Sequence, residues 1–84
     1  MEDAAYKRIY WHSRRGMLEL DLVLMPFVEN VLLTLNTDDQ DRYVKLLEEE
    51  DTDLFAWFLG HKKPEDSELK QIVELILSSS KAKN

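Results

Sequence analysis

Apolar residues recur along much of this chain at intervals of three and four residues, the spacing that places side chains on one face of an α-helix. Near the amino terminus the spacing is shown by Tyr6, Ile9 and Tyr10. Near the carboxyl terminus it produces the clearest amphipathic stripe, formed by Leu69, Ile72, Val73 and Ile76. Strand-length alternation of apolar and polar residues with turn signals is absent from the sequence, and so are internal repeats. The pattern predicts an all-α fold.

Helix-breaking residues divide the chain into about five short helices. We expect the first helix over residues 4–14 and expect Gly16 to interrupt it. The apolar run over residues 17–35 contains a proline, which has no amide donor and clashes with the preceding turn of a helix. This run is therefore predicted to form two helices that meet near Met25–Pro26, with the proline in the first turn of the second helix.

Capping residues mark the expected starts of the helices. Asp3 is the expected N-cap of the first helix. Thr37 and Gln40 fit a capping box, in which a hydroxyl and an amide three residues later each bond an unpaired backbone donor. The next helix is expected to be capped by Asp51 or Thr52. The helix that the capping box opens is expected to bury three side chains: Tyr43, Val44 and Leu47.

The expected helix ends complete this organisation. A helix over residues 53–59 is expected to end at Gly60 in the left-handed conformation that suits glycine. Pro64 is expected at the first position of the last helix. Residues 78–84 are polar and are expected to fray. The prediction is one helical domain over residues 1–84.

The composition narrows the class of protein. A chain of 84 residues has room for one domain. It contains no cysteine, which excludes disulfides, a thiol nucleophile and thiolate metal sites. Its two glycines stand at positions 16 and 60, too far apart for a glycine-rich phosphate-binding loop. A formal net charge of −6 disfavours nucleic acid as a partner.

No segment has the pattern of a membrane span or an export signal. A span needs about 20 nearly unbroken apolar residues. The most apolar run, residues 17–35, is interrupted by Glu19, Asp21, Pro26, Glu29 and Asn30. The amino terminus has neither a signal-peptide nor a transit-peptide pattern. We therefore expect a cytoplasmic protein without membrane insertion.

Few residues could carry catalysis. The two histidines, His12 and His61, have no metal-ligand spacing to other residues. None of the serines lies in the Gly-x-Ser-x-Gly context of a hydrolase nucleophile. The acidic run over residues 48–51 is typical of a solvated face, because no apolar pocket is indicated that would raise a carboxyl pKa. The sequence predicts neither an enzyme nor a metal site.

Charge is distributed unevenly, and Gly16 lies at the boundary. Residues 1–15 have a net charge of +2, whereas the other 69 residues have a net charge of −8. If Gly16 opens the second helix, Arg15 and Glu19 lie one turn apart and can pair. Two interpretations are open. In the first, Gly16 ends a helix beside a surface ion pair worth about 1 kcal/mol or less. In the second, these residues form a recognition patch, to which Gly16 supplies a bare backbone, Arg15 a forked donor and Glu19 a carboxylate.

The residues around this glycine resemble those of a known family. The segment Arg15-Gly16-Met17-Leu18-Glu19 matches the Arg-Gly-x-x-Glu signature of the succinate dehydrogenase assembly factor family, whose bacterial members are the FAD assembly factors SdhE. Further blocks are similar to the family in the expected order: Met25-Pro26-Phe27, Asp51-Thr52-Asp53-Leu54-Phe55-Ala56-Trp57 and His61-Lys62-Lys63-Pro64. The resemblance covers nearly the whole chain.

The resemblance implies a five-helix bundle that acts as an assembly factor. Such a protein binds the immature flavoprotein subunit of succinate dehydrogenase, and of the related fumarate reductase, and promotes covalent attachment of FAD to it. The FAD then belongs to the client and is not held tightly by this chain, which is expected to be a monomer. Asp21 either supports the binding patch or is simply exposed. The client-binding residues are expected to be Arg15, Gly16 and Glu19, with Arg8 and Met17 as neighbours.

Two other functions are compatible with the sequence. An acidic adaptor or antitoxin-like regulator would bind a basic partner through residues 48–51. A flavin transferase would need His12 as its acid–base residue. The aromatic block around residue 56 could be a flavin platform, but its helical spacing favours core packing of Leu54, Phe55, Trp57 and Phe58.

Overall fold

The computed structural model describes residues 1–81, and these form five α-helices. The helices are α1 (Asp3–Ser13), α2 (Leu18–Asn30), α3 (Thr37–Leu46), α4 (Asp51–Phe58) and α5 (Ser67–Lys81). A short 3-10 helix (Leu32–Thr34) connects α2 to α3. The described residues contain no strand. The prediction of an all-α fold with about five helices is confirmed.

Helices α2 and α5 lie at the centre of the packing. Helix α2 packs against α1, α4 and α5, and α5 also packs against α3 and α4. The predicted apolar stripe of α5 is buried in this core. Burial of this apolar surface is the main source of the stability of the fold. The other buried apolar residues are Leu20, Leu24, Phe27, Val28, Leu32, Tyr43, Leu46, Leu47 and Leu54.

Helix α2 is continuous through Pro26, so the prediction of two helices meeting near Met25–Pro26 is wrong. The proline removes one backbone hydrogen bond, to the carbonyl of Leu22. Leu22 is exposed, and solvent can replace the missing donor. Burial of the side chains on the opposite face then outweighs the local cost of the proline. The helix ends at Asn30, whose side-chain amide donates to the Pro26 carbonyl at 3.0 Å.

The starts of α1 and α3 differ from the expected caps by one residue. Glu2, not Asp3, occupies the N-cap position of α1, and its side chain makes no capping bond. Asn36, not Thr37, caps α3, where its Oδ1 accepts from the backbone N–H of Asp39 at 2.8 Å. An Asn at this position caps as well as a Thr does, so sequence spacing alone does not choose between them.

The last two helices also begin at other residues than expected. Glu50 holds the N-cap position of α4, so neither Asp51 nor Thr52 caps it. Pro64 does not start α5 but is buried in the preceding loop. Helix α5 starts at Ser67 and is capped by Asp66, whose Oδ1 accepts from the backbone N–H groups of Glu68 and Leu69 at 2.8 and 3.1 Å.

One further expectation needs correction. Val44 is exposed and Leu46 takes its place in the core beside Tyr43. Residues 78–81, the first part of the predicted polar tail, are helical. Residues 82–84 of the predicted polar tail lie outside the described residues.

Side-chain hydrogen bonds from Tyr6 and Ser13 hold α1 against the rest of the bundle. The Tyr6 hydroxyl donates to the carbonyl of Val28 at 3.0 Å. The hydroxyl of Ser13, which is fully buried, donates to the carbonyl of Ile9 at 2.7 Å and lies 2.7 Å from the Tyr43 hydroxyl. These contacts fix the end of α1, and so they also fix the loop that follows it.

None of the helices within residues 1–81 is long and apolar enough to cross a bilayer.

Candidate functional site

The loop between α1 and α2 carries the Arg-Gly-x-x-Glu segment at its surface. Gly16 has φ of +81°, a backbone conformation that strongly favours glycine. It is exposed, and a Cβ built on it would have no atom within 4 Å. The fold therefore needs glycine here for its backbone angle but leaves the space above the backbone empty. A partner can approach this backbone closely, and a side chain at this position would stand in its way.

The Arg15 side chain points into the fold and is 12% exposed. Its Nε donates to Asp51 Oδ1 at 2.7 Å. One terminal nitrogen donates to the carbonyls of His12 at 3.1 Å and Leu47 at 2.9 Å, and the other donates to the carbonyl of Glu49 at 2.8 Å. Four of the five N–H groups of a guanidinium are thus engaged within the protein.

Arg15 pairs with Asp51 and not with Glu19, so the surface ion pair of the first interpretation is not formed. Helix α2 begins at Leu18, so the loop places Arg15 outside the helix and turns its side chain toward α4. Glu19 lies in the first turn of α2 and is exposed. A carboxylate there is favourably placed near the positive end of the helix dipole. Its acceptor oxygens are exposed three residues after Gly16 in the chain.

Asp21 is half-buried and supports the loop. Its Oδ1 accepts from the backbone N–H of Arg15 at 2.9 Å. Of the two expectations for Asp21, the structure shows the supporting one. The sequence contains one signal for this role, since an acidic side chain in the first turn of a helix can reach back to a backbone N–H before the helix, as in a capping box.

The two remaining residues that were predicted to bind the client, Met17 and Arg8, lie in different places. Met17 directly follows Gly16 and is partly buried against the core. Arg8 is exposed on α1, where it lines a shallow groove between α1 and α3 together with Ile9 and Val44. The structure thus brings Gly16, Met17 and Glu19 together in one loop and helix start, and it places Arg8 two helical turns away.

Sequence reasoning missed three residues of this region. Asp51, the partner of Arg15, is 36 positions away in sequence, and no local pattern indicates the pairing. Trp11 and Leu18 are 63% and 69% exposed, although their size favours burial. Exposed large apolar side chains beside an open backbone are typical of a protein-binding surface.

His12 and the aromatic block were the other candidates in the sequence. His12 Nδ1 lies 3.9 Å from Glu48 Oε2 on the surface. Within residues 1–81, no three histidine, cysteine or carboxylate side chains are grouped as a metal site requires. In the aromatic block, Leu54 is buried and Phe55, Trp57 and Phe58 pack against the core, as the core interpretation predicts.

Comparison with known proteins identifies the family. A family model described as "Flavinator of succinate dehydrogenase", Sdh5, matches residues 7–80. A protein from Pseudomonas aeruginosa named FAD assembly factor SdhE is 53% identical over 76 residues, which cover 90% of each chain. Another of the same name, from Pectobacterium atrosepticum, is 46% identical over 81 residues, covering 96% of this chain and 92% of the relative.

A solved structure extends the similarity to three dimensions. The solution structure of a UPF0350 protein superposes with a TM-score of 0.77 at 46% sequence identity, covering 99% of this chain and 89% of the other. The family is one of assembly factors and not of enzymes. The sequence match over nearly the whole chain and the shared fold lead to one conclusion: the chain belongs to the Sdh5 family of succinate dehydrogenase flavinators.

Proposed function

We propose that this chain binds the flavoprotein subunit of succinate dehydrogenase, and of fumarate reductase, and promotes covalent attachment of FAD to it. Membership of the flavinator family supports the reaction. The observation that carries the proposal for the site is Gly16, whose backbone is exposed and has no neighbour within 4 Å of a Cβ position. The client surface approaches this backbone, and the exposed Glu19 carboxylate accepts hydrogen bonds from it.

The proposed contact surface consists of the loop, the start of α2 and the adjoining face of α1. Trp11 and Leu18 supply exposed apolar area, and tryptophan is enriched among the few residues that carry most of the binding energy at interfaces. Met17 packs between the loop and the core, and Arg8 extends the surface along α1 as a cation. Arg15 takes part through its position in the motif, although its side chain is turned into the fold and is 12% exposed.

The proposed mechanism is a shift of the client's conformational population. A protein that binds one client conformation more tightly than the others raises the population of that conformation. Here the favoured conformation is the one in which the flavin lies against the client residue that it modifies, and the bond forms by the client's own chemistry. FAD remains with the client, because this acidic chain lacks a glycine-rich phosphate cradle. We place the complex in the cytoplasm, with one monomer of this chain on one client.

The test compares two arginine substitutions in a purified system. The apo flavoprotein subunit is incubated with FAD and this protein, and covalent flavin is read by fluorescence of the denatured subunit in a gel. Gly16→Arg is expected to abolish the stimulation. Gly60→Arg is the matched control, because Gly60 has φ of +80°, is exposed and also has no atom within 4 Å of its Cβ position. Both variants carry a backbone strain of about 1–2 kcal/mol.

The two variants separate loss of binding from loss of folding. Equal helicity by circular dichroism, with stimulation lost only in Gly16→Arg, supports the proposed surface. Equal stimulation by both variants would show that the client does not approach Gly16. If the wild-type protein gives no stimulation of either client subunit, the proposed function itself is wrong.

A further inference from the structure

The Arg15 side chain joins two loops that are far apart in sequence. Its acceptors are the His12 carbonyl at the end of α1, the Leu47 and Glu49 carbonyls after α3, and the Asp51 carboxylate at the start of α4. The α1–α2 loop is thereby tied to the α3–α4 connection. All four hydrogen bonds lie between 2.7 and 3.1 Å, within the range of well-formed N–H···O bonds.

The α3–α4 connection concentrates negative charge, which the Arg15 guanidinium compensates. The last carbonyls of a helix have no partner within the helix and form the negative end of its dipole. The acidic run over residues 48–51 adds further negative charge at the same place. A guanidinium donates to several carbonyls and to a carboxylate at once because its donors form a planar fork, which an ammonium group lacks.

The backbone of Arg15 is held separately, by α2. Asp21 accepts the N–H of Arg15 at 2.9 Å, so α2 holds the backbone while α4 holds the side chain. Gly16 comes next in the chain with φ of +81°, so its backbone follows directly on an anchored residue. We call Arg15, Asp21 and Asp51 the arginine clamp. The clamp leaves Gly16 exposed and holds the direction of its backbone.

We propose that the arginine clamp consists of positioning residues: Arg15, Asp21 and Asp51 hold Gly16 and Glu19 in the geometry that the client binds, and the Arg15 guanidinium acts through the loop. This inference rests on the proposed function and assigns a role within it. A clamp that is released leaves the loop in several conformations, of which one is competent to bind. The apparent Kd then rises in inverse proportion to the competent fraction, so a fraction of about one tenth raises Kd about tenfold.

The test measures loop geometry and client affinity in the same variants. Asp51→Ala removes the carboxylate, and Arg15→Lys keeps the charge but loses the fork. Both are expected to shift the Gly16 and Glu19 amide resonances of the free protein and to raise the Kd for the apo flavoprotein subunit about tenfold. The double variant is expected to bind no more weakly than the weaker single variant, because both changes release the same contact. Asp51→Asn keeps an acceptor oxygen and is expected to recover part of the affinity.

Asp53→Ala is the matched control, because Asp53 is an exposed acid of the same first turn of α4. It should leave both the amide resonances and the affinity unchanged. If Asp51→Ala is not folded by circular dichroism, Asp51→Asn is compared with Asp53→Asn in the same way. Weakened binding by Arg15→Lys with unmoved Gly16 and Glu19 resonances, or additive losses in the double variant, would show that Arg15 contacts the client directly and would overturn the proposal.

Failure of the proposed function gives a different result. In that case Gly16→Arg binds the subunit as well as the wild type does, whatever the clamp variants do. A Gly16→Arg variant that does not bind, together with clamp variants that bind normally, contradicts the clamp alone.

Discussion

The buried pair of hydroxyls between Ser13 and Tyr43 offers a quantitative test of the packing of α1. Both residues have no solvent exposure. The Ser13 hydrogen is donated to the Ile9 carbonyl at 2.7 Å, so the Tyr43 hydrogen is the one shared between the two oxygens, which lie 2.7 Å apart. Tyr43 therefore depends on Ser13 for its only acceptor among the described side chains, whereas Ser13 keeps a bond without Tyr43.

This asymmetry predicts unequal costs for the two substitutions. Tyr43→Phe removes one hydrogen bond and is expected to lower the free energy of unfolding by about 1 kcal/mol. Ser13→Ala leaves a buried phenol without an acceptor and is expected to cost about 2 kcal/mol. The double variant has no unpaired hydroxyl. It should cost about 1 kcal/mol, well below the sum of the two single costs, because replacing both partners by apolar groups avoids the desolvation penalty.

Urea denaturation of the four proteins, followed by circular dichroism at 222 nm, measures these differences. Equal m-values are required, since a changed m-value would indicate a different unfolded or native state. Two results would refute the reasoning. One is a Ser13→Ala variant as stable as Tyr43→Phe, and the other is a double variant whose loss equals the sum of the single losses.

Three other predictions follow from charge, capping and burial. Burial raises the pKa of Tyr43 to about 12 from 10.0, so the neutral phenol contributes fully to stability below pH 10 and this contribution is lost between pH 10 and 12. Urea denaturation at several pH values in that range should show the free energy of unfolding of the wild type falling more steeply than that of Tyr43→Phe, by about 1.4 kcal/mol per pH unit. The Lys45 hydrogen bond, with those of the Leu69 and Glu68 amides, lowers the pKa of Asp66. Asp66→Ala should therefore lower the thermal midpoint at pH 7 more than Glu65→Ala does, and the difference should vanish as pH falls below 3.8, the unfolded value. Leu18→Ala should change stability by less than about 0.5 kcal/mol and weaken client binding, whereas Leu32→Ala, at a fully buried site, should cost about 2–5 kcal/mol of stability.

Several features were predictable because they depend on residues that are close together in the chain. The stripe of α5 requires only helical spacing of apolar residues, and all four of its members are buried. Gly60 follows the C-cap of α4 with φ of +80°, the left-handed conformation expected for it, and Gly16 has φ of +81° in the loop after α1. The family signature was also readable, because its five residues are consecutive.

Helix boundaries and the course of α2 were not predictable in the same way. Neighbouring residues such as Asn36 and Thr37 have nearly equal capping ability, so small differences in packing choose between them. Pro26 carries a strong local preference for ending a helix. The burial of Leu24, Phe27 and Val28 on one continuous face opposes that preference, and this burial exists only once the other helices are in place.

The sequence by itself determined the fold class, the apolar stripe, the two glycine turns and the family of this protein. Only the tertiary structure decided that the Arg15 side chain faces inward to Asp51, that Ser13 pairs with Tyr43, and that Gly16 stands open beside them. The reason is physical. Helical periodicity and backbone angles arise from interactions within a few residues, whereas the direction of a charged side chain depends on which distant carbonyls and carboxylates the folded chain brings within hydrogen-bonding distance.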